Sequence, residues 1–423
     1  MNNKSIGLFQ GIALYIAAIL GSGVLFLSGA TASIAGPASI VSWLIVILIS
    51  FPLAYSFASL AREFPDAGGT ATFVRRSFGY HLGNIVGWFY FVTAAVGQTI
   101  VSLTGAFYVS QAFGFSHFET MIIAVFILVI AGLFNFYAVK VSGKVALILS
   151  TLLLILLVLT IIVSLPRIQW DHFTPFVPNG WFSLGTAVTI IFWSFFGWEA
   201  ICNLALQFKR PEKNIIKGAI VSVVVIGLLF LALSFVTIGT ATYGSQESNL
   251  SPISVIMGDT LGMGAKAVTA VLALIICTGT ANAFIASLTQ LGYSLSRDGA
   301  FPELFSNLHT TTQIPRLMVL FVVCFSITGV LVTKALSLAF DDILFIPTSL
   351  GIIVYLLSMA AGIKLFKKNT MAWWTSLTSF ILCLLVLPFF NLYIVVPMIV
   401  SSLYIFYMIW GRSIFLQRRF KKS

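Results

Sequence analysis

Charge is what this sequence has least of. Of its 423 residues, 8% are Asp, Glu, Lys or Arg, against about 25% in a soluble globular domain. No stretch is long and polar enough to fold as a soluble domain of its own, which argues against a receptor with a sensing or signalling module. No phosphate loop, metal motif or nucleophile arrangement occurs. The reading is therefore not an enzyme and not an ATP-driven pump, and no cofactor or metal is expected. The four histidines, His81, His117, His172 and His309, lie far apart, in loops or near span ends. The four cysteines, Cys202, Cys277, Cys324 and Cys383, are scattered through apolar runs without metal-ligand spacing, and read as small buried hydrophobes. The net charge of +11 does not indicate nucleic-acid binding, because the basic residues gather at alternate loops.

What fills the chain instead is apolar: 59% hydrophobic residues and a mean hydropathy of +1.05. This composition predicts an all-α integral membrane protein whose partner is the lipid bilayer. Twelve transmembrane helices are expected, at about 7–34, 37–61, 84–113, 118–138, 143–165, 182–208, 214–242, 266–296, 315–333, 343–366, 371–389 and 391–411. Each is long enough for a hydrocarbon core of about 30 Å. Residues 1–5 are too few for the charged region of a signal peptide, so the first span is expected to be retained. Of the 23 basic residues, 20 fall on one set of span ends, and only Arg167, Lys266 and Lys334 on the other. The first set is assigned to the cytoplasm, with both termini.

Two spans are interrupted. Gly21-Ser22-Gly23 lies within the first, and two glycines in a helix interior cost roughly 0.5–1 kcal/mol each relative to alanine. A membrane tolerates broken backbone only where protein or a wet cavity surrounds it. Small-residue helix packing and a binding site both fit this stretch taken alone. The sixth span carries the second interruption, Trp193-Ser194-Phe195-Phe196-Gly197-Trp198-Glu199. An offset of five spans is odd, so the two halves are inverted, and paired broken helices in inverted repeats form transport sites. The cytoplasmic segment 63–83 and the outer segment 243–264 repeat this relation on opposite faces. Glu199 lies ten residues before Lys209, about 15 Å in a helix and so near mid-membrane.

Glu199 is the only acid placed deep in a span, where a carboxylate costs roughly 2.5–3.5 kcal/mol on insertion scales. It reads either as a brace bonded to freed backbone amides or as a proton-responsive gate. At the first break the outer half-helix begins near Gly23, and its free amides suit a carboxylate. At the second, the outer half-helix ends near Phe195, and its free carbonyls suit an ammonium. Together the gaps would bind an α-amino acid, with Gly21, Ser22, Gly23 and Val24 on one side and Trp193, Ser194, Phe195, Phe196 and Gly197 on the other.

These motifs resemble those of the amino acid–polyamine–organocation superfamily. The residues concerned are Gly21-Ser22-Gly23; Phe64-Pro65-Asp66-Ala67-Gly68-Gly69 with Gly87-Trp88; Phe192 to Glu199 followed by Lys209-Arg210-Pro211; and Ser296-Arg297-Asp298-Gly299-Ala300-Phe301-Pro302. The run Ala205-Leu206-Gln207-Phe208-Lys209 is most similar to the bacterial L-methionine and branched-chain amino acid exporters. The resemblance implies a leucine-transporter-type fold, a single transporter domain over 1–423. Its five-plus-five inverted repeat would occupy about 7–165 and 182–366, with two additional helices at about 371–411. It implies carboxylate binding at Ser22 and Gly23, ammonium binding at carbonyls around Trp193 to Phe196, an aromatic gate at Trp193 and a gating role for Glu199. Gln207 stands where many members have an acid, and Leu153 where some proton-coupled relatives have lysine. The expected function is secondary transport of neutral, apolar L-amino acids across a bacterial cell membrane, with efflux favoured. An importer or exchanger is the near alternative and a channel or non-transporting receptor the remote one. The coupling ion, proton or sodium, and the oligomeric state stay open.

Overall fold

In a computed structural model, the protein is described over residues 6–64, 69–137, 143–199, 202, 205 and 208–411. Lys4, Lys140, Leu206, Gln207, residues 65–68 of the first-loop motif and the basic residues of 412–422 lie outside them. Among the described residues the regular secondary structure is helical, and the one bridge of β type joins Ile6 to Phe208. Runs this apolar satisfy their peptide groups within each segment, because a hydrocarbon surrounding offers no partner.

Sixteen α-helices follow in order: α1 Leu8–Leu20, α2 Leu27–Ala35, α3 Ser39–Glu63, α4 Gly69–Phe78, α5 Tyr80–Phe113, α6 His117–Phe136, α7 Gly143–Ser164, α8 Phe182–Phe195, α9 Pro211–Gly239, α10 Gln246–Leu250, α11 Pro252–Leu261, α12 Met263–Arg297, α13 Arg316–Ala335, α14 Phe340–Leu365, α15 Met371–Val386 and α16 Val395–Phe406. Nine helical stretches among the described residues are long and apolar enough to cross a membrane. Two shorter apolar helices, α1 and α8, are the ones that stop at Gly21 and Phe196.

Helix also forms in the two long segments between expected spans, the first of which was expected to be amphipathic. The segment 63–83 holds α4, whose Phe73 and Val74 are buried while Arg75 and Arg76 are exposed. The segment 243–264 holds α10 and α11, the first closed by a reciprocal Ser245–Ser248 cap. Within the expected sixth span the α-helix ends at Phe195, and the described residues Trp198, Glu199, Cys202 and Ala205 are in 3₁₀ conformation. Three cysteines are buried, but Cys324 is exposed on the outer face of α13. An apolar surround makes that position as suitable for a thiol as the interior.

The longest helices, α5 and α12, cross at small residues. A Cβ on Gly105 would stand 2.8 Å from Cβ of Cys277, and one on Gly87 would stand 2.8 Å from Cδ2 of Leu295. Close backbone approach of this kind is what small residues supply where no hydrophobic force drives helices together. The far ends of the two broken stretches are tied as well: Lys209 N–H donates to the Ile6 carbonyl at 3.0 Å.

Candidate functional site

Both breaks are built by glycine. Gly21 closes α1 with φ 37° and ψ −151°, and Gly197 lies just past α8 with φ 154°. A side chain at either would strain the backbone. After Gly21 the chain makes a 3₁₀ turn over Gly23–Leu25 before α2 starts at Leu27. The outer helix proper therefore begins four residues later than Gly23. Each break touches the other. A Cβ on Gly23 would collide with Ser194 Oγ and lie 3.1 Å from Cδ1 of Trp193, while one on Gly197 would lie 3.0 Å from Cγ1 of Ile19.

Around them is a cavity of about 580 Å³. The breaks supply Gly21, Ser22, Gly23, Trp193, Ser194, Phe196, Gly197 and Glu199 to its wall. The side chains of two expected residues do not reach it. Val24 is fully buried, and the Phe195 ring packs on Phe230 at 5.5 Å and on Trp43 at 6.3 Å. The helical turn that points Trp193 and Phe196 at the cavity aims Phe195 into the core.

The remaining wall comes from helices that the sequence reading left out: α5 with Tyr90, Thr93 and Ala94, α14 with Gly351, Val354 and Tyr355, and α4 with Thr70 and Ala71. From α12 come Ser287, Gln290 and Ser294 beside Phe284, Leu288 and Leu291. The α12 stripe was detectable, since polar residues at i, i+3 and i+7 share one face of an otherwise apolar helix. Among the described residues the lining contains no lysine, arginine, histidine or aspartate, and Glu199 is its single carboxyl group.

That carboxyl is held from two sides. Tyr355 O–H donates to Glu199 Oε2 at 2.5 Å, and Gly197 N–H donates to the same oxygen at 3.0 Å. Tyr90 faces it from α5. The Tyr355 hydroxyl also lies 3.1 Å from the Phe195 carbonyl, so a protein hydroxyl reaches one of the free carbonyls at the end of α8. In contrast, Thr93 Oγ1 and Ser194 Oγ are buried without a protein partner. Buried polar atoms are rarely left so, and both line the cavity. A ligand with donor and acceptor groups would complete them.

The cavity reaches from the breaks toward α4 and the C-terminal end of α12. On the opposite side the way is packed. Phe26 stands edge-on to Phe340 at 4.9 Å, Phe107 closes on the same ring at 5.8 Å, and Tyr108 O–H donates to the Leu25 carbonyl.

Comparison with known proteins agrees with this architecture. Residues 6–412 match the amino acid permease family. An uncharacterized amino acid permease of Bacillus subtilis, YecA, is 33% identical over 407 residues, covering 96% of this chain and 95% of its own. The L-methionine/branched-chain amino acid exporter YjeH of Escherichia coli is 26% identical over 372 residues, 86% of this chain and 87% of its own. The branched-chain amino acid permease BcaP of Bacillus subtilis is 25% identical over 333 residues, 74% of this chain and 71% of its own.

Proposed function

The chain belongs to the amino acid permease family, a family of multi-pass membrane transporters rather than enzymes, and from that premise we propose that it carries neutral, largely apolar L-amino acids by alternating access. Methionine, leucine, isoleucine and valine are the substrates, and efflux is the favoured direction. The observation that carries the reading is the cavity between the two breaks, walled by apolar side chains and hydroxyls, with no fixed cation among the described residues. Its single carboxyl is engaged by Tyr355 and Gly197. A cationic substrate side chain would need a free acid, and an anionic one a base. The substrate's own carboxylate faces the amides that open the 3₁₀ turn at Ser22 and Gly23, and its ammonium faces the carbonyls that end α8. Sequence similarity to the exporter favours efflux, and similarity to the branched-chain permease supports the same substrate class.

In this reading the fold is twelve spans in a five-plus-five inverted repeat, with α15 and α16 outside the repeat. Both termini, with α4, are cytoplasmic. The cavity then faces the cytoplasm, and the ring cluster of Phe26, Phe107 and Phe340 is the closed outer gate. A transporter loading cytoplasmic substrate for export waits in this conformation. Purified protein in proteoliposomes tests the reading. Methionine, leucine, isoleucine and valine compete with one another for transport, whereas arginine and glutamate do not. Inhibition by arginine with none by leucine refutes the pocket assignment. Imposed proton or sodium gradients, each with labelled methionine inside or outside, identify the coupling ion and the direction.

A further inference from the structure

Trp193 is pinned at both edges of its indole. Cδ1 lies 3.1 Å from where a Cβ on Gly23 would stand, and Cη2 lies 2.6 Å from where one on Gly97 would stand. Gly97 itself is absent from the cavity wall, although Ala94, one turn earlier on α5, belongs to it. The indole covers Gly97. Trp193 is half-buried, and its open side is the cavity that it lines.

We propose that Gly97 is a specificity-determining position: by lacking a side chain it seats the Trp193 indole back against α5, and so sets the length of substrate side chain that the cavity accepts. The inference rests on the substrate class proposed above and deepens it. A methyl at Gly97 also lies 3.5 Å from Cζ3 and 3.6 Å from Cζ2, so it meets the broad end of the ring system rather than one atom. The indole cannot retreat toward Gly23, where Ser194 already fills the space. It moves into the cavity and shortens the room for a ligand. Gly97 is a positioning residue that acts through Trp193. Its backbone has an ordinary helical conformation within α5, and alanine is the better helix former, so Gly97→Ala adds the methyl without backbone strain.

The test uses the full chain labelled with 5-fluorotryptophan, with transport measured in the same preparations. The ¹⁹F resonance missing from Trp193→Phe is that of Trp193. Gly97→Ala shifts this resonance, and Gly264→Ala, at a helical glycine whose added Cβ would meet nothing within 4 Å, leaves it in place. In competition assays Gly97→Ala moves the preference from methionine and leucine toward alanine and valine by about ten-fold, the discrimination that a methylene produces in an apolar pocket. Trp193→Phe, with its smaller ring, restores the preference in the Gly97→Ala background. A methionine-to-alanine preference unchanged by Gly97→Ala overturns the proposal, whether or not the resonance moves. An equal loss for every substrate, with no rescue by Trp193→Phe, overturns it too and leaves Gly97 as a packing contact. A wild-type protein that accepts no neutral amino acid overturns the substrate reading itself, and this role with it. That failure is visible before any variant is measured.

Discussion

The hydroxyl of Tyr355, on α14, lies 2.5 Å from Oε2 of Glu199, just past the end of α8. It also lies 3.1 Å from the Phe195 carbonyl, and it has one proton to give. With Glu199 ionised, that proton and the Gly197 amide both go to Oε2. With Glu199 protonated, the carboxyl no longer needs the Tyr355 proton, which then turns to Phe195. A change of charge on Glu199 would thereby reach the last carbonyl of α8, the group proposed above for the substrate ammonium. Tyr355→Phe removes this exchange and orphans a buried acceptor, at about 1–3 kcal/mol. Transport by the variant falls about ten-fold or more. Initial rates of methionine transport, normalised to protein in the membrane, check this, and wild-type rates in Tyr355→Phe would show the hydroxyl to be idle.

Glu199→Gln separates gating from bracing. Glutamine keeps the shape and an acceptor for Tyr355 and Gly197 but never ionises. Substrate binding persists, and the pH dependence of net transport flattens across about pH 5 to 8, the range into which buried carboxyls can move. A permanently protonated brace predicts something else: both the rate and its pH profile survive the substitution. Rates for wild type and variant over that range distinguish the two roles.

The breaks were legible in the sequence because each breaks a rule that a membrane enforces. Paired glycines and a lone acid have no cheap place inside an apolar helix, so Gly21, Gly23, Gly197 and Glu199 stood out. Tyr90, Thr93 and Tyr355 did not, because a helix apolar on every side carries no period that says which face is inward. Val24 and Phe195 were expected at the gaps through their backbone groups, and their side chains are buried away from the cavity. The turn at the end of α8 that sends Trp193 to the cavity wall sends Phe195 to the core. The segment 63–83 was read as amphipathic, and it holds α4, which buries one side.

Gly23→Leu tests whether the first break binds or merely packs. Its Cβ collides with Ser194 Oγ, and the rest of a leucine fills the gap in front of the amides. Substrate binding is lost, while insertion in the membrane is kept, because the outer apolar segment is unchanged. Binding of labelled methionine to the well-expressed, monodisperse variant is the measurement. Near-normal binding would return Gly21-Ser22-Gly23 to a packing role.

The end of the cavity that carries α4 is held by contacts of unequal strength. Arg75 of α4 lies 3.7 Å from Asp298 beyond α12, with both side chains partly exposed. Such a pair contributes about 0–1 kcal/mol. Trp88 of α5 donates from Nε1 to the Ala300 carbonyl at 2.8 Å, and its ring meets Phe301 at 5.0 Å and Tyr404 of α16 at 5.8 Å. Losing one partner of a buried hydrogen bond costs about 1–3 kcal/mol, and this one is partly buried. Of these two contacts the tryptophan is therefore the stronger tie between α5 and the end of α12, beside the bond that Tyr80 O–H donates to the Asp298 carbonyl at 2.5 Å. Ser294, on the cavity wall near that end, reports the opening when replaced by cysteine in a Cys324→Ala background. In inside-out vesicles, Trp88→Phe speeds labelling of Ser294→Cys by a membrane-impermeant maleimide several-fold. Asp298→Asn changes it by less than about two-fold, in keeping with an exposed pair. The reverse order would make the Arg75–Asp298 pair the latch and Trp88 a packing residue.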